Sequence, residues 1–138
     1  MSMTKEEMEE FLSEGHIARI ATVKKDGSPH ITPVWFLWED EELIIVTYKG
    51  SAKVRNIKAN NRVAVVIDTA GPGRGVIMEG KARISVDGME QVTRKISAKY
   101  VKPEELDDYV ESVLKTPMMV IRISPKKVIS WDYSKAEE

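Results

Sequence analysis

From His16 to Val23 the chain alternates, with Ile17, Arg19, Ala21 and Val23 on one side and Ala18, Ile20 and Thr22 on the other. That period of two predicts a strand with both faces partly covered. Lys25-Asp26-Gly27-Ser28 follows, and Asp-Gly between two such runs signals a hairpin. The chain therefore returns in a second strand from His30 to Trp38. Pro33 interrupts this strand. Proline has no N–H for a ladder, so it belongs on an edge, at a bulge, or where a ligand replaces the neighbouring strand. Glu39-Asp40-Glu41-Glu42 reads as a solvated acidic turn into a third, buried run at Leu43 to Val46. Val63 to Ile67 and Val76 to Val86 supply two more strands, and Gly80 within the second marks a bulge or a close backbone approach. The last strand, Met118 to Tyr133, carries Ile121 and Ile123, turns at Ser124-Pro125-Lys126-Lys127 and resumes with Val128, Ile129 and Trp131.

Between these runs the period changes to that of a helix. Thr4 and Glu7 make a capping box for a helix that stops at Gly15. Its apolar face of Met8, Phe11 and Leu12 is narrow and suits the surface of the main body. Ser51 is an N-cap for a helix that runs to Asn60-Asn61. Asp87 and Glu90 form a second capping box, followed by Met89, Val92, Ile96 and Tyr100 on one face. Pro103 opens a further helix at the position proline tolerates best, with Leu106, Tyr109, Val110, Val113 and Leu114 in period. About six strands, mostly antiparallel, with inserted helices predict a mainly β fold. A small six-stranded closed or split barrel fits this better than a doubly wound sheet.

Composition narrows the chemistry. At 138 residues, the chain fits one domain spanning residues 1–138, large enough to bury roughly two-thirds of its unfolded surface. It contains no Cys, which removes disulfides, thiolate metal sites and thiol catalysis. His16 and His30 are isolated from one another, so no His-rich metal site is expected. There is no recognisable Ser-His-Asp arrangement either. The charged N-terminus lacks the apolar run of a signal peptide and no stretch reaches membrane-spanning length. A soluble, cytoplasmic protein is expected. A formal charge of −1 argues against a dedicated nucleic-acid binder.

That overall balance makes one stretch unusual. No Asp or Glu occurs from Leu43 through Ile67, whereas Lys49, Lys53, Arg55, Lys58 and Arg62 do. A helix start already carries roughly half a positive charge, so Lys53 in its first turn is repelled unless an anion sits there. Free N–H groups, a capping hydroxyl, this lysine and Arg55 two residues later together make a phosphate site of the helix N-terminal kind. The bland alternative is a solvated basic face. The segment Thr69 to Gly75 is glycine-rich but lacks the Gly-Lys-Ser/Thr ending of a P-loop. It reads as a flexible turn whose Arg74 either reaches a ligand or is solvated. Trp35, Phe36 and Trp38 are either core and dimer interface or the wall of a ligand site.

Two sequence blocks carry a family resemblance. They are Asp26-Gly27-Ser28-Pro29-His30 with Thr32-Pro33-Val34-Trp35, and Thr47 to Asn56 with its Ser-x-Lys-x-x-Asn. The run from His16 to Asp68 that contains them resembles the flavin-binding split β-barrel proteins related to pyridoxamine 5′-phosphate oxidase. The likeness continues more weakly through Glu79 to Ile84 and the closing strand. It implies a homodimer with two flavin sites at the subunit interface. On that resemblance, Ser51 and Lys53 bind the terminal phosphate of FMN. Pro33, Val34 and Trp35 lie along the isoalloxazine ring or ribityl chain, with Val46 and Thr47 on the facing strand. Arg55 and Asn56 are further carry-overs, and Trp131 closes the site from the other subunit. Tyr133 to Glu138 is a short polar tail without the arginine-containing segment that recognises substrate in true pyridoxamine phosphate oxidases. The resemblance therefore implies the cofactor site without implying vitamin B6 oxidation.

Three functions are consistent with these residues. The first is an oxidoreductase that uses FMN on an unidentified small molecule, with a variant using the 8-hydroxy-5-deazaflavin coenzyme. Hydride transfer on such a ring needs no protein nucleophile, and no catalytic residue is assigned. The second is a flavin carrier or sensor without turnover. The third, a nucleic-acid or acidic-partner module built on Lys49 to Arg62, is disfavoured by the whole-chain charge.

Overall fold

The computed structural model describes residues 1–71 and 73–135. In chain order the elements are α1 (Lys5–Ser13), β1 (Ala18–Val23), β2 (Pro29–Val34), β3 (Leu37–Glu39), β4 (Glu42–Tyr48), α2 (Ala52–Ala59), β5 (Arg62–Asp68), β6 (Arg74–Ser85), α3 (Met89–Ser97), α4 (Leu106–Leu114) and β7 (Met118–Asp132). A short 3₁₀ turn at Pro103–Glu105 leads into α4. All strands join one antiparallel sheet in the order β2-β1-β5-β6-β7-β4-β3. The two edges of that sheet, β2 and β3, are consecutive in sequence and separated only by Trp35 and Phe36. A link from Val34 to Leu37 spans at most about 11 Å. The sheet must therefore roll until its edges meet, which yields a half-open barrel. Among the described residues no helix is long and apolar enough to cross a membrane.

Seven strands stand where six were expected, because the run from His30 to Trp38 is two strands. The break falls at Phe36 rather than at Pro33. Pro33 sits on the edge strand β2, opposite Arg19, where its missing N–H costs no ladder bond. Phe36 leaves the ladder because its backbone finds partners at the end of α3. Its N–H donates to the Tyr100 hydroxyl oxygen (3.4 Å), and its carbonyl accepts from Lys99 Nζ (2.8 Å). The Tyr100 hydroxyl donates onward to the His16 carbonyl (2.6 Å). The acidic turn is a two-residue hairpin turn with Asp40 and Glu41 at φ of 54° and 59°, as a type I′ turn requires.

Two further expectations are corrected. β7 does not turn at Ser124 to Lys127 but runs straight through, with a one-residue bulge against Gly80. Beyond Ile123 it pairs with β6 only, so Pro125 faces an open edge and is tolerated. The close approach is real: a Cβ on Gly80 would lie 2.2 Å from the Ser124 carbonyl oxygen. The second capping box does not form. Gly88, at φ 67°, is the N-cap of α3 without a side-chain bond, and the Asp87 carbonyl instead accepts from Arg122 Nη2 (3.0 Å). The Thr4/Glu7 box does form.

Alternation fills the barrel. Ile20, Leu43, Ile45, Val65, Ile67, Val76, Met78, Ile121 and Ile123 point inward and are buried. Phe11 and Leu12 of α1 join them at 1% and 0% exposure, so this helix plugs the core instead of riding on its surface. The outer face of β4 and β7 carries a second, smaller core, where Ile44 and Val120 meet Val92 and Ile96 of α3. That packing fixes α3, and α4 behind it, on the outside of the barrel wall.

Lys99 is the polar stitch in this arrangement. Its Nζ donates to the carbonyls of Phe36 and Leu12 (2.8 and 3.1 Å) and lies 3.7 Å above the Phe36 ring centroid. Burial pulls its pKa down from 10.5 to about 8.

Two consequences are measurable. Gly80→Ala should destabilise the protein by about 1–3 kcal/mol, because the added methyl overpacks against backbone that cannot step aside; urea unfolding reads this, and an unchanged midpoint contradicts the bulge geometry. For Lys99, the unfolded chain binds the proton more tightly than the folded one between pH 8 and 10.5, so stability rises with pH across that window. The unfolding free energy of the natural protein, taken relative to Lys99→Met, should therefore increase between pH 7 and pH 10. A constant or shrinking difference would show that the amine is not desolvated.

Candidate functional site

The hairpin β3–β4 pairs Leu37 with Ile44. Just before β3, Val34 and Trp35 line the same cavity as Val46 and Thr47 at the end of β4. Rolling the sheet thus brings the end of β2 against the end of β4. The chain leaves β4 through Lys49 and Gly50 directly into α2. Between these ends lies a cavity of about 470 Å³, floored by Pro33, Val34, Trp35, Val46, Thr47 and Tyr48 and touched by Lys53. Its other wall comes from α3 and α4 and their flanks, including Thr93, Ser97, Tyr109 and Ser112.

Of the residues singled out from sequence, Pro33, Val34, Trp35, Val46, Thr47 and Lys53 line this cavity. Ser51 stands just behind the lining. Its Oγ accepts from the Val54 N–H and from the Thr47 hydroxyl (both 3.4 Å), so it caps α2 and ties the helix tip to the cavity wall. Arg55 and Asn56 are not brought in. Arg55 is exposed and donates to the Gly50 carbonyl (2.6 Å), bracing the loop, while Asn56 Nδ2 donates to Thr22 Oγ1 (3.0 Å) and staples α2 to β1. Trp131 lies near the far end of β7, opposite Gly75, where a Cβ would sit 2.2 Å from its ring; it does not line the cavity of its own chain. Arg74, half-buried, pairs with Glu14 (3.6 Å) and sits 5.0 Å over the Phe11 ring. The aromatic run divides: Phe36 is core, Trp38 packs against the core, and Trp35 faces the cavity.

The electrostatics of the site centre on Lys53. It is the one charged side chain among the described residues lining the cavity. No carboxylate of the described residues pairs with it, and burial lowers its pKa below the ordinary lysine value. The first N–H groups of a helix have no acceptor within the helix, and at α2 the Ser51 hydroxyl takes only that of Val54. The first turn of α2 holds no acidic residue. A half-buried cation beside a positive helix end is electrostatically strained, and an anion placed between them relieves both. A phosphate ester fits this donor set; a bare metal ion does not.

The helical wall was not legible as a site from sequence, although it left a trace. Thr93 and Ser97 interrupt the apolar face of α3 one turn apart, and they are only 3% and 2% exposed. Thr93 Oγ1 is buried with no hydrogen-bond partner among the described residues, a situation that costs about 1–3 kcal/mol. His30 Nδ1 and Thr32 Oγ1 are also unpartnered, but they lie on the inward positions of β2 and outside the cavity lining. Trp35 stacks on Tyr100 with centroids 4.5 Å apart and planes at 10°, and Tyr109 leans on it at 5.7 Å. The cavity thus joins a flat aromatic surface, a single cation and buried hydroxyls.

Known proteins are similar to this chain in sequence and in fold. The chain is 29% identical over 97 residues to an F420H(2)-dependent biliverdin reductase of Mycobacterium tuberculosis, covering 67% of this chain and 69% of that protein. It is 29% identical over 141 residues to a 5a,11a-dehydrotetracycline/5a,11a-dehydrooxytetracycline reductase of Streptomyces rimosus, covering 95% of this chain and 84% of that one. Its structure matches that of a conserved hypothetical protein from Mycobacterium tuberculosis with a TM-score of 0.86 and 26% identity, over 99% of this chain and 89% of the other. The family model described as pyridoxamine 5′-phosphate oxidase matches residues 4–132. With the rolled antiparallel sheet and nearly the whole chain accounted for by that match, this protein belongs to the pyridoxamine 5′-phosphate oxidase family.

Proposed function

We propose that the protein is an oxidoreductase that binds a phosphate-bearing flavin-type cofactor at a homodimer interface and transfers hydride to or from a small molecule. The observation that carries this reading is Lys53, a half-buried lysine without an ion pair among the described residues, beside an uncompensated helix N-terminus at the mouth of a cavity walled by Trp35. When bound, the tricyclic ring supplies the hydride chemistry. The residues of this chain bind and orient it. Lys53 and the first turn of α2 take the phosphate, while Ser51 fixes that turn. Pro33, Val34, Trp35, Val46 and Thr47 flank the ring and exclude water. No side chain here needs to act as nucleophile or base.

The second subunit has surfaces to cover. Ile31 is 62% exposed on the edge strand β2, and Val128 and Ile129 are 43% and 45% exposed on the part of β7 that β4 leaves unpaired. Because Trp131 lies outside the cavity of its own chain, any role it has at a cofactor is played across the dimer. Of the two cofactors weighed, FMN and the 8-hydroxy-5-deazaflavin coenzyme, the biliverdin reductase relative favours the deazaflavin. The dehydrotetracycline reductase relative supports turnover over a carrier role. A cytoplasmic setting suits the absence of cysteine.

Titrating the purified protein with FMN and with the deazaflavin coenzyme tests the proposal. Saturable binding of one or both, at one site per subunit, is expected, and no binding of either would overturn it. Lys53→Glu should weaken that binding about tenfold or more, because charge reversal removes a charge-assisted bond of about 1.5–3 kcal/mol. Its melting temperature should stay within a few degrees of the natural protein; an unchanged affinity would remove Lys53 from the site.

A further inference from the structure

Where β5 starts, the sheet sets two cations face to face. Arg62 stands directly opposite Lys81 in the antiparallel register and both are exposed; like charges so placed repel. Two other like-charge pairs face one another across the sheet, and in each the chain itself relieves the repulsion. Opposite Arg122, Arg83 pairs with Glu42, while Arg122 donates to Ser85 Oγ and the Asp87 carbonyl (3.3 and 3.0 Å). Glu39, opposite Glu42, pairs with Lys95 (2.8 Å). The side chains of Arg62 and Lys81 make no ion pair or hydrogen bond among the described residues.

The surroundings add to the charge. α2 ends at Asn60, whose Oδ1 accepts from the Arg62 N–H (3.1 Å), and the Asn61 carbonyl accepts from the Ala82 N–H (2.8 Å). These bonds hold the turn between α2 and β5 against β6. Across β6, Lys126 is the extra residue of the β7 bulge, without a partner in the ladder, and a bulge re-aims its side chain. Two adjoining hollows of about 600 and 320 Å³ result, both lined by Arg62, Lys81 and Lys126. Lys58 joins the larger, which no carboxylate lines, and Lys127 and Glu79 join the smaller. Some of these cations have local reasons to be there. Lys58 suits the negative end of α2, and Lys126 and Lys127 protect the stretch of β7 that β4 leaves open. Arg62 opposite Lys81 has none, and a concave surface lined by one sign focuses its field on whatever enters.

The occupant is therefore multiply negative and short. A long polyanion running past the hollows meets Glu79 on one side. On another it meets Glu42, which accepts from Ser124 Oγ (2.9 Å), opposite Lys81. No aromatic ring lines either hollow, so no base stacks there. Consecutive phosphate groups offer several acceptors each to guanidinium and ammonium donors. We propose that the hollow between the α2–β5 turn and the β7 bulge is a binding site for an oligophosphate chain: Arg62 and Lys81 share one phosphate group between them, and Lys58 and Lys126 take its neighbours. It lies at the opposite end of the eight-residue helix α2 from the tip assigned to the cofactor, about 12 Å along the axis.

The test titrates the full chain by calorimetry, at one fixed ionic strength, with inorganic tripolyphosphate, orthophosphate and ATP. Saturable binding of tripolyphosphate is expected, about tenfold or more tighter than orthophosphate, with ATP within about threefold of tripolyphosphate because the base finds no ring to stack on. Lys81→Glu should cut tripolyphosphate affinity about tenfold or more. It should also raise the melting temperature of the ligand-free protein, since a repulsion across the strands becomes an attraction. Lys81→Arg should keep the affinity, and so should Lys53→Glu, which disables the other phosphate position. Unchanged tripolyphosphate affinity in Lys81→Glu overturns the proposal, as does equal binding of tripolyphosphate and orthophosphate, the mark of a diffuse ion atmosphere. A loss in Lys53→Glu alone would assign the anion to the cofactor's site. A single-stranded oligonucleotide that binds more tightly than tripolyphosphate and is lost in Lys81→Glu would replace the oligophosphate with a nucleic acid. Tripolyphosphate binding in a protein that takes up neither cofactor would uphold this site and defeat the oxidoreductase reading.

Discussion

Trp35 and Phe36 join the two opposite edges of one seven-stranded sheet, and that short connection governs the rest of the architecture. It forces the sheet to roll, gives the barrel its interior, and draws the end of β2 to the end of β4. Phe36 can leave both ladders only because Tyr100 and Lys99 take over its backbone groups. The same pair anchors the end of α3 to the link and to α1. Thus the bonds that permit the roll also fix the helical wall of the cavity. A half-buried amine does this without an ion pair among the described residues: two carbonyls and an aromatic face replace the carboxylate, at the expense of a lowered affinity for its proton.

The site is built from a second tension. Folding brings a lysine into partial burial beside the positive end of a helix, with no acidic residue in its first turn. Left alone, that arrangement weakens the fold locally, so the free energy set aside there becomes available to a ligand that carries the opposite charge. Aromatic and apolar side chains on β2 and β4 continue from the charged mouth into the cavity. A molecule with an anionic tail and a flat ring matches this gradient along its length.

Much of this was legible in the sequence, and the parts that were not share a cause. Strand alternation gave the barrel face, because burial on one side imposes a period of two on Ile20, Val65 and Ile121 alike. The Asp-Gly hairpin and the Ser51 cap were visible because turn and cap chemistry is local. The split of β2 from β3 was hidden, since it depends on Tyr100 and Lys99, more than sixty residues away in the chain. The straight passage of β7 through Pro125 was equally hidden: it depends on β4 stopping short at Leu43 opposite Ile123. The partners of Arg55 and Asn56 were not legible either: Arg55 is exposed and braces the Gly50 carbonyl of the loop, while Asn56 holds α2 to Thr22 of β1, a contact 34 residues distant in the chain. The helical wall went unassigned because Thr93 and Ser97 look like ordinary helix residues until their neighbours are known.

The central claim is that the tip of α2, with Lys53, holds an esterified phosphate of the redox cofactor. The most direct measurement compares each cofactor with its phosphate-free riboside, FMN against riboflavin and the deazaflavin coenzyme against 8-hydroxy-5-deazariboflavin, by equilibrium titration of the cofactor-free protein. A phosphate held by charge-assisted bonds is worth about 1.5–3 kcal/mol, so the phosphorylated form should bind about tenfold or more tightly, and inorganic phosphate should erode that advantage. Equal affinities for the two forms, insensitive to added phosphate, would contradict the account.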